Sequence, residues 1–234
     1  MIYNELPLPF GGKGREQHWR KQLNKYLDID QLKDKHIIDV GCGTGTVTKI
    51  LAEYSNNVRG CDISDNSLDI ARTKVENVLF QNQDILSLDY EDKQFDLAVC
   101  IGVIHHTGDP QKAFTELIRI TKGNGQILLF VYNKDGFYYW VYNSTRFIFK
   151  NKKIEDIPKP FIQFIGWLVG LFYHENVPYQ DAKHWVADIF LSDVVDGISL
   201  STLETWAKDN KCLIMKTGYT FFNSNIIISM TRVG

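Results

Sequence analysis

Asp39-Val40-Gly41-Cys42-Gly43-Thr44-Gly45 decides the reading of this chain. It follows an apolar, strand-like run, His36 to Val40. It precedes Thr46 to Tyr54, where Val47, Ile50 and Leu51 recur at helical spacing. Three alternate glycines between a strand and a helix let the backbone turn tightly and approach a ligand, with helix N-terminal N–H groups facing it. Two familiar loops are excluded. A dinucleotide fingerprint needs a third glycine where Thr46 stands, and a phosphate loop needs a Gly-Lys-Ser/Thr that is absent here.

Outward from that loop the pattern alternates. Val58 to Cys61, Val78 to Gln81, Leu97 to Ile101 and Gln126 to Tyr132 read as strands. Asn66 to Val75 and Pro110 to Thr121 read as helices, the second opened by Asp109 as cap and Pro110 at its first turn. Gly123-Asn124-Gly125 reads as the turn that ends it. Strands alternating with helices predict a mostly parallel sheet, with ligands outside the carboxyl ends of its strands. From Asn133 to about Ser192 the rhythm breaks into an aromatic stretch (FYYWVY, 137–142), three lysines (Lys150, Lys152, Lys153) and an apolar helix, 161–173. Alternation resumes with a helix, 201–210, and strands near 213–217 and 225–231. The chain divides into an N-terminal helical flap (1–30), a ligand-binding core (31–132), a helical lid or substrate insertion (133–192) and a final helix with the last strands (193–234).

Composition sets the outer limits. The chain has 234 residues, 26 Lys plus Arg against 28 Asp plus Glu, 44% apolar and 13% aromatic residues. These values exclude disorder, collagen, coiled coil and a disulfide-stapled miniprotein. A net charge of −2 offers no electrostatic reason to expect nucleic acid as a partner. Cys42, Cys61, Cys100 and Cys212 form no C-x-x-C pair and sit in apolar runs, which suits buried thiols in a reducing compartment. The first residues lack the basic-then-apolar pattern of a secretory signal. Phe161 to Tyr173 falls short of the ~20 apolar residues a bilayer crossing takes. The expected location is cytoplasmic.

The glycine loop, together with RGCDIS (59–64), FQNQDIL (80–86), FDLAVCIGVIHHTGDP (95–110) and RITKGNGQILLFVYN (119–133), resembles the ordered motifs of class I S-adenosylmethionine-dependent methyltransferases. The resemblance covers roughly residues 36–132. It implies an α/β, Rossmann-like, doubly wound and mostly parallel seven-stranded sheet, here with a helical lid inserted before the last two strands. It implies S-adenosyl-L-methionine as cofactor, leaving as S-adenosyl-L-homocysteine. The cofactor residues would be Asp39, Gly41, Cys42, Gly43, Gly45, Asp62, Ile63, Asp84, Ile85 and Ile101, with Asp62 on the ribose and Asp84 on the adenine. Taken alone, Asp62-Ile-Ser and Asp84-Ile-Leu read equally well as turn caps. Asn124 stands where the family often has Pro or Gly.

Transfer of a methyl from a sulfonium is an in-line displacement, so positioning dominates and a base matters when the acceptor is a hydroxyl. His105 and His106 follow the fourth strand, with His106 the preferred base and a packing role the alternative for either. Tyr138, Trp140, His174, His184 and Trp185, among the insertion's aromatic and polar residues, are candidates for an acceptor pocket. Phe10-Gly-Gly-Lys-Gly-Arg15 reads either as a mobile flap, with Tyr3 and Trp19 as aromatic cover, or as the lead into an ordinary helix, 16–27. No N-P-P-Y or D-P-P-Y occurs, no Asp/Asn/Asp set suggests a metal, and Cys100 reads as a core thiol. The expected function is O-methylation of a small, partly apolar metabolite. RNA or protein methylation, and a cofactor-binding scaffold without turnover, are the alternatives.

Overall fold

The structure, a computed structural model, describes residues 12–192, 195–220 and 223–234. Tyr3, Phe10 and Gly11 of the flap reading lie outside them. Seven strands form one sheet in the order β3-β2-β1-β4-β5-β7-β6: β1 (Ile37–Val40), β2 (Val58–Asp62), β3 (Leu79–Asn82), β4 (Phe95–Ile101), β5 (Thr121–Tyr132), β6 (Cys212–Thr220) and β7 (Asn225–Arg232). The pairs from β3 to β5 are parallel, and β7 runs antiparallel to both neighbours. Every residue of β1 is buried, as a strand covered on both faces requires. The strand order reverses between β1 and β4, which opens a crevice at their carboxyl ends.

Helices cover both faces. On one side α1 (Lys13–Tyr26) and α2 (Thr46–Ala52) bury Trp19, Leu23, Tyr26, Ile50 and Leu51 against Ile37, Leu97, Val99 and Ile227. On the other, α4 (Pro110–Ile120) and α8 (Leu200–Asp209) bury Phe114, Leu117, Leu203 and Ala207 against Ile38, Ala98 and Ile127. Between them in sequence, α3 (Asp65–Lys74) packs Leu68 and Ala71 on Phe80. The expected cap forms, Asp109 accepting the Lys112 N–H at 3.0 Å, and Ser64 also opens α3 by accepting from the Ser67 N–H at 3.2 Å.

Two local expectations change. The chain passes from α4 directly into β5, because Gly123-Asn124-Gly125 is a bulge within β5: Phe95 pairs with Thr121 but Leu97 with Gln126. Asn124 takes the left-handed conformation at φ +63°, which asparagine tolerates better than most residues. Trp19 is no loose cover. It is 8% exposed and meets Phe130 edge-to-face at 5.2 Å, so α1 is a core helix.

Residues 133–192 form a separate helical layer of α5 (Phe137–Phe149), α6 (Lys159–Tyr173) and α7 (Tyr179–Val186), the last continuing as a π-helical turn, Ala187–Leu191. It has its own small core of Ile154, Ile157, Ile162, Ile165, Ala182 and Val186. Glu175, just past α6, caps the other end of the chain: its Oε2 accepts the backbone N–H groups of Gly14 and Arg15 at 3.1 and 3.3 Å. The Arg15 guanidinium lies over Trp185 at 5.0 Å, so α1 and the insertion are tied together. The four cysteines are all buried and unbonded to one another.

Candidate active site

The glycine loop is fixed from below and open above. Gly41 and Cys42 donate backbone N–H bonds to Cys61 O at 2.7 and 2.9 Å, which locks the loop to the end of β2. Gly41 and Gly43 both have positive φ, +72° and +52°. They differ in surroundings. A Cβ on Gly41 would collide with Val103, whereas a Cβ on Gly43 would meet nothing within 4 Å. Gly41 is therefore glycine for packing, and Gly43 for a conformation that leaves space over the crevice.

Three carboxylates follow or end the strands on this side of the sheet. Asp39 is 2% exposed, accepts the Thr48 hydroxyl at 2.6 Å, and is pushed up to about 7 by burial, with Asp62 adding repulsion. Asp62 Oδ2 accepts the Gly43 N–H at 2.8 Å and its Oδ1 the Ser64 N–H at 2.9 Å. Burial raises its carboxyl pKa as well. The turn-cap reading of Asp62 is thus present: the backbone N–H groups of Ser64, Gly43 and Ile63 all bond its carboxylate, which has about four acceptor positions when ionised. Asp84 is exposed, and its Oδ1 accepts the Leu86 N–H at 2.9 Å, the same two-residue turn. Ile63 beside Asp62 is 39% exposed, an apolar side chain kept at the surface. Ile85 and Ile101 instead pack into the two cores, and the Cys42 thiol turns inward beside Leu68 and Phe80. These three offer the crevice backbone rather than side chain.

The two histidines separate. His105 is fully buried, its Nδ1 facing the Tyr132 N–H at 3.4 Å, and burial holds its pKa well below the usual imidazole range. A ring with no exposed surface meets no acceptor, so His105 is corrected from candidate base to core residue. His106 faces a polar cluster from the insertion. Its Nδ1 is 3.2 Å from Ser192 Oγ and its Nε2 is 3.7 Å from Asp188 Oδ1. Asp188 Oδ2 accepts the Tyr132 hydroxyl at 2.8 Å.

Of the five acceptor-pocket candidates, one joins this cluster. The Tyr138 ring lies 4.4 Å from Tyr132, and its hydroxyl donates to Ile189 O at 3.1 Å. Trp140 is 65% exposed and stacked on Phe137, on the outside of α5, which corrects its assignment to a pocket wall. His174 is exposed and ends α6 in the left-handed conformation, so it too is displaced from the cluster. His184 is half-buried on α7, and Trp185 packs on Tyr173 and Arg15. A groove of about 610 Å³ runs between α6 and α7 and is lined by Gln163, Trp167, His174 and Tyr179 among others. It is separate from the glycine crevice. Tyr132, Asp188 and Ser192 were missed from sequence. Tyr132 ends a parallel strand, a position that itself signals a ligand site. Asp188 and Ser192 carry no local signal. Among the described residues no group of His, Cys, Asp and Glu could hold a metal ion.

A doubly wound sheet with a glycine loop and strand-end acids at its switch point is the architecture of class I S-adenosylmethionine-dependent methyltransferases. Residues 38–129 match the family model described as "Methyltransferase domain", and enzymes of that architecture use S-adenosylmethionine as their cofactor. Among curated relatives, the ubiquinone biosynthesis O-methyltransferase of Coxiella burnetii is 32% identical over 116 residues, 47% of this chain and 50% of that protein. The probable tRNA methyltransferase 9B of Bos taurus is 34% identical over 131 residues, 55% of this chain and 28% of the relative. The chain spans half or less of the length of these relatives. In fold it is similar to magnesium protoporphyrin IX methyltransferase from Synechocystis PCC 6803 with bound S-adenosylhomocysteine (TM-score 0.63, 16% identity, 94% of this chain and 84% of that chain).

Proposed function

We propose that this protein transfers a methyl group from S-adenosylmethionine to a hydroxyl oxygen of a small, partly apolar acceptor, with His106 as the base. The observation that carries the reading is the His106–Asp188–Tyr132–Ser192 cluster, built where the end of β4 meets the insertion. The chain's own residues fit the cofactor. Gly43 leaves a cradle that a Cβ would fill. Asp39 and Asp62, both made less acidic by burial, gain from a cationic ligand. Asp62 would hold the ribose hydroxyls and exposed Asp84 the adenine amino group, with Ile63 as an apolar contact for the base. Gly41, Gly45 and the backbone of Cys42, Ile85 and Ile101 shape the floor.

When bound, the cofactor supplies a methyl group on a positively charged sulfur. With the His106 Nε2–H turned to Asp188, the Nδ1 lone pair is the basic site, and Ser192 Oγ occupies the place of a hydroxyl donor. An acceptor hydroxyl reaching that place would give its proton to Nδ1 as its oxygen takes the methyl, the electron pair of the broken carbon–sulfur bond leaving with the thioether product, S-adenosylhomocysteine. Asp188, held by Tyr132, faces the resulting imidazolium. The insertion, 133–192, acts as a lid that excludes water and selects the acceptor, with Tyr138 on its inner side. The four buried thiols suit a reducing, cytoplasmic setting.

Calorimetric titration with S-adenosylmethionine tests the cofactor, and binding that survives Asp62→Ala removes the assigned ribose contact. A screen of hydroxylated aromatic acceptors, read by mass spectrometry, tests the transfer. Methylated RNA in place of a methylated small molecule would redirect the acceptor assignment, and binding without any product would leave a scaffold.

A further inference from the structure

Helix α6 is apolar on two opposite faces. Ile162, Ile165 and Gly166, with Phe161 and Val169 packed beside them, point into the insertion's core. The other face carries Phe164, Trp167, Leu168 and Leu171, which are 52%, 58%, 42% and 55% exposed. Their i, i+3, i+4, i+7 spacing makes one continuous stripe. The C-terminal end of α5 adds Phe147 and Ile148, 73% and 54% exposed. Phe149 meets Phe161 at 6.0 Å, so that end of α5 abuts the start of α6. Scattered exposed apolar residues need no explanation, but a stripe of large ones marks an interaction surface.

We propose that this face seats the protein on the surface of an anionic lipid bilayer, with α6 lying in the interface plane. Charge identifies the occupant. Residues 137–173 hold Arg146, Lys150, Lys152, Lys153 and Lys159 against only Glu155 and Asp156, a balance of +3 in a chain of net −2. All five cations are exposed. They sit on the end of α5, the connection and the first residue of α6, directly ahead of the stripe in the chain, while α6 itself carries no charge after Lys159. Trp, Phe and Leu on one face with Lys and Arg around them is the chemistry of an interfacial helix: the rings enter the headgroup boundary and the cations meet lipid phosphates. A second copy of this chain would face the same cations and be repelled. Geometry sets the depth. At about 1.5 Å per residue α6 is roughly 22 Å long, less than the ~30 Å hydrocarbon core. Among the described residues no helix is long and apolar enough to cross a membrane. The surface position also suits an acceptor that partitions into lipid, but the docking stands without methyl transfer and is measured without cofactor.

The test is sedimentation of the full chain with phosphatidylglycerol-containing vesicles and with phosphatidylcholine-only vesicles, over a range of salt. Binding to the anionic vesicles, weakened by salt, is expected. Trp167→Ser with Leu171→Gln should weaken it by at least about tenfold, and Lys150→Glu with Lys152→Glu and Lys153→Glu should abolish the preference for anionic lipid. The substituted residues are exposed, so unchanged circular dichroism melting should verify each variant. Three results would overturn the proposal: no binding to anionic vesicles at low salt, binding indifferent to Trp167→Ser with Leu171→Gln, or a stable dimer in light scattering that the same double variant dissociates.

Discussion

Asp188 Oδ1 lies 3.7 Å from His106 Nε2, joining the loop after β4 to the π-helical turn after α7. Both side chains are nearly closed to solvent, 8% and 7% exposed. A π-helical turn often marks a functional site, because the extra residue in the turn re-aims a side chain. Here the turn carries the carboxylate that faces the imidazole.

His106→Ala should lower kcat by about 10²–10⁴-fold with cofactor affinity unchanged, since proton transfer contributes on that scale. Asp188→Asn keeps the shape but removes the charge and should lower kcat less, with KM held. Steady-state kinetics beside calorimetry reads both. Full activity in His106→Ala would eliminate the base.

Asp39 makes stability and cofactor binding depend on pH in opposite directions. Its folded-state value of about 7 lies above the ordinary 3.8, so the stability it contributes below about pH 4 is lost as pH rises through 7. A cationic ligand prefers the ionised form, so affinity should rise across the same window. Asp39→Asn should remove both trends and leave the ligand-free chain more stable at pH 8, by on the order of 1–3 kcal/mol. Thermal denaturation and cofactor titration of parent and variant from pH 4.5 to 8 measure the difference. A parent curve that parallels the variant's would contradict the burial argument.

Gly43→Ala and Gly41→Ala should fail in different ways. Both require a left-handed alanine, at a cost of roughly 1–2 kcal/mol. At Gly43 the new methyl enters open space, so the larger effect should be on cofactor binding, at least about tenfold weaker through lost close approach. At Gly41 the methyl strikes Val103, adding about 1–3 kcal/mol of overpacking and lowering the melting temperature further. Denaturation and titration of the two variants separate these outcomes.

Arg232 on β7 closes the C-terminal end of α4. Its Nη1 donates to Thr121 O at 2.6 Å and to Ile118 O at 2.7 Å, the second a carbonyl that also accepts the Thr121 N–H at the helix end. Arg232→Met should therefore cost about 1.5–3 kcal/mol of stability with little change in cofactor affinity. Urea denaturation gives the number; a change within 0.5 kcal/mol, about the scatter of neutral surface substitutions, would show that water replaces the contact.

Much of the fold was legible because its signals are local. The alternation of apolar runs with helical spacing from 36 to 132, the caps at Asp109 and the glycine loop each depend on residues a few positions apart. Strand-end placement of Asp62 and Asp84 follows from the same local order, and so do their turn bonds to the Ser64 and Leu86 N–H groups. The bulge at Asn124 escaped because a glycine-rich turn and a strand bulge use the same residues.

The rest required the tertiary structure. His105 and His106 are neighbours with the same chemistry, and only packing separates them: one ring is sealed against Tyr132 and the other turned to Asp188 and Ser192. The aromatic insertion was visible, but not which rings face inward, so Tyr138 came to the cluster and Trp140 to solvent. The sequence by itself determined the sheet, the loop and the acids at its strand ends, since backbone geometry and hydrophobic period operate within a few residues. Only the tertiary structure decided which side chains meet across the crevice. Those contacts join elements far apart in the chain, and they exist only where layers packed on both sides of the sheet bring their ends together.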